Sequence, residues 1–263
     1  MVNMQVNFGD SIPISTVDWH GRVSVVLFLR ECPFRCPYCH NYEILGGSDH
    51  RELAELKGII DSSKPFVSNV VFSGGEPLIQ AEAVEQLATY AKANGLLVGI
   101  HTNGLHLEVV EHLVGKGLVD KFFIDVKAPL DDPDMYGKAI GYGESDDVHV
   151  FPEDVVGKVG RTIALLTDRK IEYELRTTVI RDFIGDADDV AAISRSIAEY
   201  VNTSGAPYVI QQGIPEHAMK VSMRDIVPFS REELLEIATS AHQYIDNVWI
   251  RTKEGGNEKV NFE

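Results

Sequence analysis

The chain has 263 residues, 44% of them apolar, a formal net charge of −16 and three cysteines. An acid excess on this scale repels a phosphate backbone, which excludes nucleic acid as an expected partner, and no apolar run approaches the ~20 residues of a membrane span. Residues 1–10 lack a basic region followed by an apolar one, so no export signal is expected, and the cysteines read as reduced thiols of a cytoplasmic protein.

Predicted strands and helices alternate along the chain. A buried strand at 23–29 runs into the cysteine loop, and a helical pattern follows at 51–63. Strand 67–73 precedes helix 80–94, strand 97–102 precedes helix 107–115, and strand 121–126 follows. Residues 128–152 are rich in Asp, Gly and Pro with weak periodicity, and read as a surface excursion, a candidate lid. Helix 153–168, strand 172–180, helix 186–203, strand 208–212 and helix 230–244 complete the series, with a weaker strand at 247–251. Asp186 and Ser230 stand where helix N-caps belong, Ser230 with Glu233 three positions on, and Gly95 and Gly117 stand where helices end.

Repeated strand–helix units predict a parallel sheet with right-handed crossovers. Six good units predict an α/β fold of the partial (β/α)6 TIM-like barrel class, in a single domain. That domain would span 1–263, with a core at about 20–215 and a C-terminal extension at about 216–263. In such folds the site forms at the C-terminal ends of the strands, which makes those ends the places to inspect.

The first strand end holds all three cysteines, Cys32, Cys36 and Cys39, in a C-x3-C-x2-C spacing. A four-iron cluster takes four ligands, so three thiolates leave one iron open for a substrate or cofactor. A zinc site would need His40 or His50 as a fourth ligand, and a second C-x2-C knuckle is absent. A disulfide would leave an odd cysteine. After the second strand comes Ser73-Gly74-Gly75-Glu76-Pro77: two glycines allow close backbone approach, and Glu76 with neighbouring carbonyls suits an ammonium group. After the third comes His101-Thr102-Asn103-Gly104, where Thr102 and Asn103 can bond hydroxyls or a carboxylate. After the fourth, Asp125 and Lys127 lie two apart and so point to one side, suited to a ribose diol and a carboxylate. On the fifth, Arg176 projects with Thr178, and a buried Arg needs an anionic partner.

The cysteine loop with Tyr38-Cys39-His40-Asn41, the GGEP segment and the Asp-x-Lys strand end resemble the radical SAM superfamily. Val17-Asp18-Trp19-His20-Gly21, Thr102-Asn103-Gly104, Gln211-Gln212 and Trp249-Ile250-Arg251-Thr252 narrow the resemblance to glycyl-radical-enzyme activases, nearest the activating proteins of anaerobic ribonucleoside-triphosphate reductase. The resemblance implies that Cys32, Cys36 and Cys39 ligate a [4Fe–4S] cluster whose open iron is chelated by S-adenosylmethionine. It implies that Gly74, Gly75 and Glu76 receive the ammonium, that Tyr38 contacts adenine, and that Asp125, Lys127 and Arg176 hold the ribose and carboxylate. Thr102 and Asn103 complete the implied cofactor-binding set. Pyruvate formate-lyase activase has an Asp where this chain has His101 and binds a monovalent cation there, so the resemblance carries no prediction of a cation at this position.

The implied activity is reductive cleavage of S-adenosylmethionine to a 5′-deoxyadenosyl radical, fed by flavodoxin or ferredoxin. The radical would take the Cα hydrogen of one glycine in a partner glycyl radical enzyme, the anaerobic ribonucleotide reductase. A radical SAM enzyme acting on a small molecule or modifying another protein stands as the alternative. A non-catalytic iron–sulfur carrier would need none of the GGEP and Asp-x-Lys apparatus.

Overall fold

A computed structural model describes residues 4–262. The chain divides into two compact units: Met1–Cys32, Glu43–Thr102 and His106–Phe123 in the first, and Pro33–Tyr42, Asn103–Leu105 and Ile124–Glu263 in the second.

The first unit is built on β1 (Gln5–Ser15), β2 (Ser24–Leu29), β3 (His50–Glu52), β4 (Asn69–Gly74) and β5 (Leu97–Thr102). β2, β4 and β5 pair in parallel in that order, β1 lies antiparallel to β2, and β3 antiparallel to β1. One face carries Val25, Leu27, Leu29, Val70, Phe72, Val98 and Ile100, all fully buried. It is covered by α1 (Leu53–Ser63) and α2 (Ala81–Ala93), and α3 (Leu107–Gly115) follows β5 in the chain. In α2 the buried residues Ala83, Val84, Leu87, Ala88 and Ala91 fall at helical spacing, which is what lets one stripe seal the sheet. On the other face Val26, Val71 and Phe123 pack around Trp19, which the β1–β2 loop folds back over the sheet. Gly99 makes room for it: a Cβ there would lie 3.0 Å from the indole.

β6 (Lys121–Asp125) begins in the first unit and ends in the second. The second unit continues with α4 (Pro133–Ile140), α5 (Pro152–Asp168), β7 (Glu172–Val179), α6 (Ala187–Ser204), β8 (Tyr208–Gln212), α7 (Arg231–His242), β9 (Val248–Thr252) and β10 (Gly256–Lys259). β7, β8 and β9 pair in parallel and β10 returns antiparallel to β9. The Val126 N–H donates to the Arg176 carbonyl at 2.8 Å, which sets the end of β6 beside β7.

The expected caps are present. Asp186 accepts from the Asp189 N–H at 2.9 Å, Ser230 and Glu233 form a reciprocal capping box, and Gly95 and Gly117 take positive φ. The structure differs most at 128–152, where α4 stands in place of an irregular excursion. Asp132 caps it, Pro133 opens it, Gly141 at φ +78° ends it, and Tyr136, Ala139 and Ile140 are fully buried. β1 and β10 also lie outside the predicted elements, and β3 takes Arg51 and Glu52 from the start of the helix expected at 51–63. Among the described residues no helix is long and apolar enough to cross a membrane.

Candidate functional site

In the first unit the ends of β2 and β4 are stitched together. The Gly75 N–H donates to the Leu29 carbonyl at 2.9 Å, and the Glu76 N–H to the Glu31 carbonyl at 2.7 Å. Side chains have no room here. A Cβ on Gly74, whose φ is +123°, would lie 2.1 Å from the Leu29 oxygen, and one on Gly75 would lie 2.1 Å from the Glu31 oxygen and 3.2 Å from the Cβ of Cys32. The two glycines therefore place the GGEP loop directly against the start of the cysteine loop.

Glu76 is fully buried, and its carboxylate accepts from the Leu78 N–H at 3.1 Å and from the Thr102 hydroxyl at 2.9 and 3.1 Å. A buried carboxylate survives through such bonds. Thr102 thus braces Glu76, and Glu76 caps the short 3₁₀ turn Pro77–Gln80. The Asn7 amide donates to Glu31 at 2.8 Å, and Gln80 bonds the Asn7 backbone on both sides, at 2.8 and 2.9 Å. Asn7 carries no motif; only its place on β1 reveals the role. The His101 ring sits edge-on to Phe123 with its Nε2 3.0 Å from the Asp18 carbonyl.

The second unit holds Cys36 and Cys39, Tyr38, Asn103, Asp125, Lys127 and Arg176. Residues 33–42 are gripped from two sides. The Arg35 N–H donates to the Ile140 carbonyl at 2.9 Å, and Gly141 passes so close that a Cβ would lie 2.3 Å from the Arg35 oxygen. From the other side the Lys220 N–H bonds the Pro37 carbonyl at 2.8 Å, and Arg224 reaches the Tyr42 hydroxyl at 3.2 Å. Cys39 and Cys36 are joined by a 2.9 Å turn bond. Tyr38 packs on Phe183, ring centroids 5.8 Å apart, and His40 stacks on His217 at 4.7 Å.

The Lys127 ammonium lies 2.8 Å from Asp125, and its backbone N–H points to the Tyr136 hydroxyl at 3.4 Å. Burial works against the charge on Lys127, but Asp125, Tyr38 and Cys36 outweigh it and hold the side chain protonated, well above its ordinary value. Burial pushes the Cys36 thiol up to about 12, opposed by Lys127, and raises Cys39 for the same reason. Tyr38 is likewise raised by burial. Asn103 accepts from the Leu105 N–H at 3.0 Å, a local turn. Arg176 finds its anionic partner two residues back: its Nε lies 2.6 Å from Glu174, and both side chains are buried. Glu174 also accepts from Arg251 at 3.3 Å, and Arg251 bonds Gln211 at 3.2 Å and Asn257.

This donor set can be tested against an iron–sulfur cluster. None of the three cysteines is in a disulfide among the described residues, and no three His, Cys, Asp or Glu side chains of those residues are grouped closely enough for one metal ion. Buried thiols with raised pKa values keep their protons unless a metal replaces them, and Lys127 lowers the cost of the thiolates. The paired glycines let the GGEP backbone lie against the Leu29 and Glu31 carbonyls beside Cys32. The chemistry of these donors, three thiols with a cation beside two of them, suits an iron–sulfur cluster.

Residues 26–150 match the model of the radical SAM superfamily. A Methanocaldococcus jannaschii protein named as a glycyl-radical enzyme activating enzyme is 33% identical over 245 residues, covering 93% of this chain and 95% of that one. The chain belongs to the radical SAM family of glycyl-radical-enzyme activating enzymes. The family's cofactors are a [4Fe–4S] cluster and S-adenosylmethionine, and its members are oxidoreductases. A pyruvate formate-lyase-activating enzyme of Clostridium pasteurianum is 30% identical over 176 residues, covering 61% of this chain and 70% of that one. The structure of a radical SAM methyltransferase from Sphaerobacter thermophilus superposes with a TM-score of 0.66 at 13% identity, covering 90% of this chain and 68% of that one. At that identity the likeness shows the fold, the α/β partial barrel expected from the strand–helix order.

Proposed function

We propose that this family member generates the glycyl radical of an anaerobic ribonucleotide reductase. The full-length likeness to a glycyl-radical activating protein carries the reading, and the motif pieces around Trp19, Asn103, Gln211 and Arg251 support the partner. When bound, the cluster and S-adenosylmethionine supply a 5′-deoxyadenosyl radical that removes a hydrogen atom from the partner's glycine. Cys32, Cys36 and Cys39 ligate the cluster. Gly74, Gly75 and Glu76, the last braced by Thr102, would receive the cofactor's ammonium. Asp125, Lys127 and Arg176 would hold the ribose and the methionine carboxylate, Lys127 being kept protonated beside Asp125. Tyr38, backed by Phe183, contacts adenine, and Asn103 shapes the turn after β5. The chain acts in the cytoplasm as one radical SAM domain, core about 20–215, and receives electrons from flavodoxin or ferredoxin.

The test is to mix the reduced, cluster-loaded protein with S-adenosylmethionine and the anaerobic reductase, and to record electron paramagnetic resonance. A glycyl radical on the reductase supports the reading. If S-adenosylmethionine is cleaved and no radical forms on the reductase, that partner is wrong.

A further inference from the structure

Away from the cysteine loop, the first unit holds a polar pair that the cofactor reading does not use. Ser24 opens β2 and Asn69 opens β4, at the N-terminal ends of the strands, and the two are register partners. Partners in a parallel pair share a face of the sheet and lie on strands about 4.8 Å apart. Two residues further along the same face stand Val26 and Val71, packed with Trp19 and Phe123. Ser24 and Asn69 are both fully buried. Among the described residues, Ser24 Oγ and both Asn69 side-chain atoms, Oδ1 and Nδ2, have no hydrogen-bond partner, and the two residues do not bond each other.

Burying a hydroxyl and a complete amide without partners is costly, and native interiors avoid it by bonding such groups to protein or to ordered water. We propose that Ser24 and Asn69 bind one ordered water molecule at the floor of this sheet. The chemistry matches. Water donates to Oδ1, accepts from Nδ2 and exchanges a bond with the Ser24 hydroxyl, which gives the roughly three bonds typical of a buried water. The apolar layer of Trp19, Val26, Val71 and Phe123 offers no polar atom that could do this in its place, save an indole N–H that cannot serve Nδ2.

The experiment is a high-resolution crystal structure of the cluster-loaded protein beside one of Ser24→Ala/Asn69→Leu, with melting temperatures for both single variants and the double. The proposal expects a density peak within hydrogen-bond distance of all three atoms, absent from the double variant. It also expects non-additivity. Asn69→Leu alone strands the Ser24 hydroxyl and loses more melting temperature than the double variant does, because removing both partners together removes the need for the water. A floor without density, in which Asn69 has turned to bond another protein group, would overturn it. So would a peak bonded to oxygen atoms alone, which is a cation, or singles whose losses simply add.

Discussion

The Glu31 carbonyl accepts the Glu76 N–H at 2.7 Å while standing where any Cβ on Gly75 would have to go, 2.1 Å away. One backbone atom thereby joins the start of the cysteine loop to the GGEP loop and forbids a side chain between them. Gly75→Ala must push the two loops apart. It is expected to destabilise by about 1–3 kcal/mol, as overpacking does, and to lower the iron retained after anaerobic reconstitution. Thermal melting and iron analysis check this; an alanine variant with full iron content and unchanged melting would show that the contact yields freely.

Lys127 is expected to bind the cofactor carboxylate. Its side chain is 14% exposed against 45% for Asp125, so the lysine is the more deeply committed of the pair. Lys127→Met, compared with the parent at matched iron content, should weaken S-adenosylmethionine binding by about 2–5 kcal/mol, the range for losing one partner of a buried charge pair. Calorimetric titration of the reconstituted variant measures it. Unchanged affinity would remove Lys127 from the cofactor site.

Cys36 gives the cluster-free protein a pH signature. Folding raises its thiol from 9.0 to about 12 through burial, so the folded chain holds this proton more tightly than the unfolded one. The associated stability is complete below about pH 9 and is lost as pH climbs toward 12. Melting temperatures of metal-free protein should therefore fall through this window, and the fall should be shallower in Cys36→Ala. The same burial predicts that Cys36 alkylates more slowly than a free cysteine peptide at pH 8.

Much of this was legible in the sequence, for identifiable reasons. The strands at 97–102 and 208–212 and the helix at 107–115 lie where periodicity put them, and Asp186 and Ser230 cap as their side chains dictate. β1 was not legible because Gly9, Asp10 and Pro13 break its alternation and its partners are antiparallel neighbours. α4 carried its punctuation openly, Asp132, Pro133 and Gly141, but is only Pro133–Ile140, too short to show a period. β10 is polar throughout, Gly256–Lys259, and is marked by Asn257 bonding Arg251 rather than by apolar pattern. In the site, the residue types at the strand ends could be read, but not what their side chains do. Glu76 turns inward to Leu78 and Thr102, and Arg176 is met by Glu174 on its own strand. Tyr136, Phe183 and His217 come from distant segments, where only tertiary structure could bring them in.

The Glu174 carboxylate serves two guanidinium groups, Arg176 and Arg251, in the buried interior of the second unit. Removing the carboxylate leaves buried cations facing each other. Glu174→Ala should destabilise by about 3–5 kcal/mol, read as a shift of the urea midpoint, while Arg251→Gln should cost less because its side chain is 15% exposed. A Glu174→Ala variant as stable as the parent would show that other groups neutralise the arginines.

The most direct test of the activase reading follows one hydrogen atom. The partner reductase is prepared with deuterium at the α-carbon of its glycine residues and mixed with the reduced, cluster-loaded protein and S-adenosylmethionine. Mass spectrometry of the 5′-deoxyadenosine product is then the measurement. One deuterium per radical formed is expected, and none when the target glycine alone is replaced by alanine. Unlabelled 5′-deoxyadenosine formed at full rate, with label arriving only from a deuterated small metabolite, would contradict it.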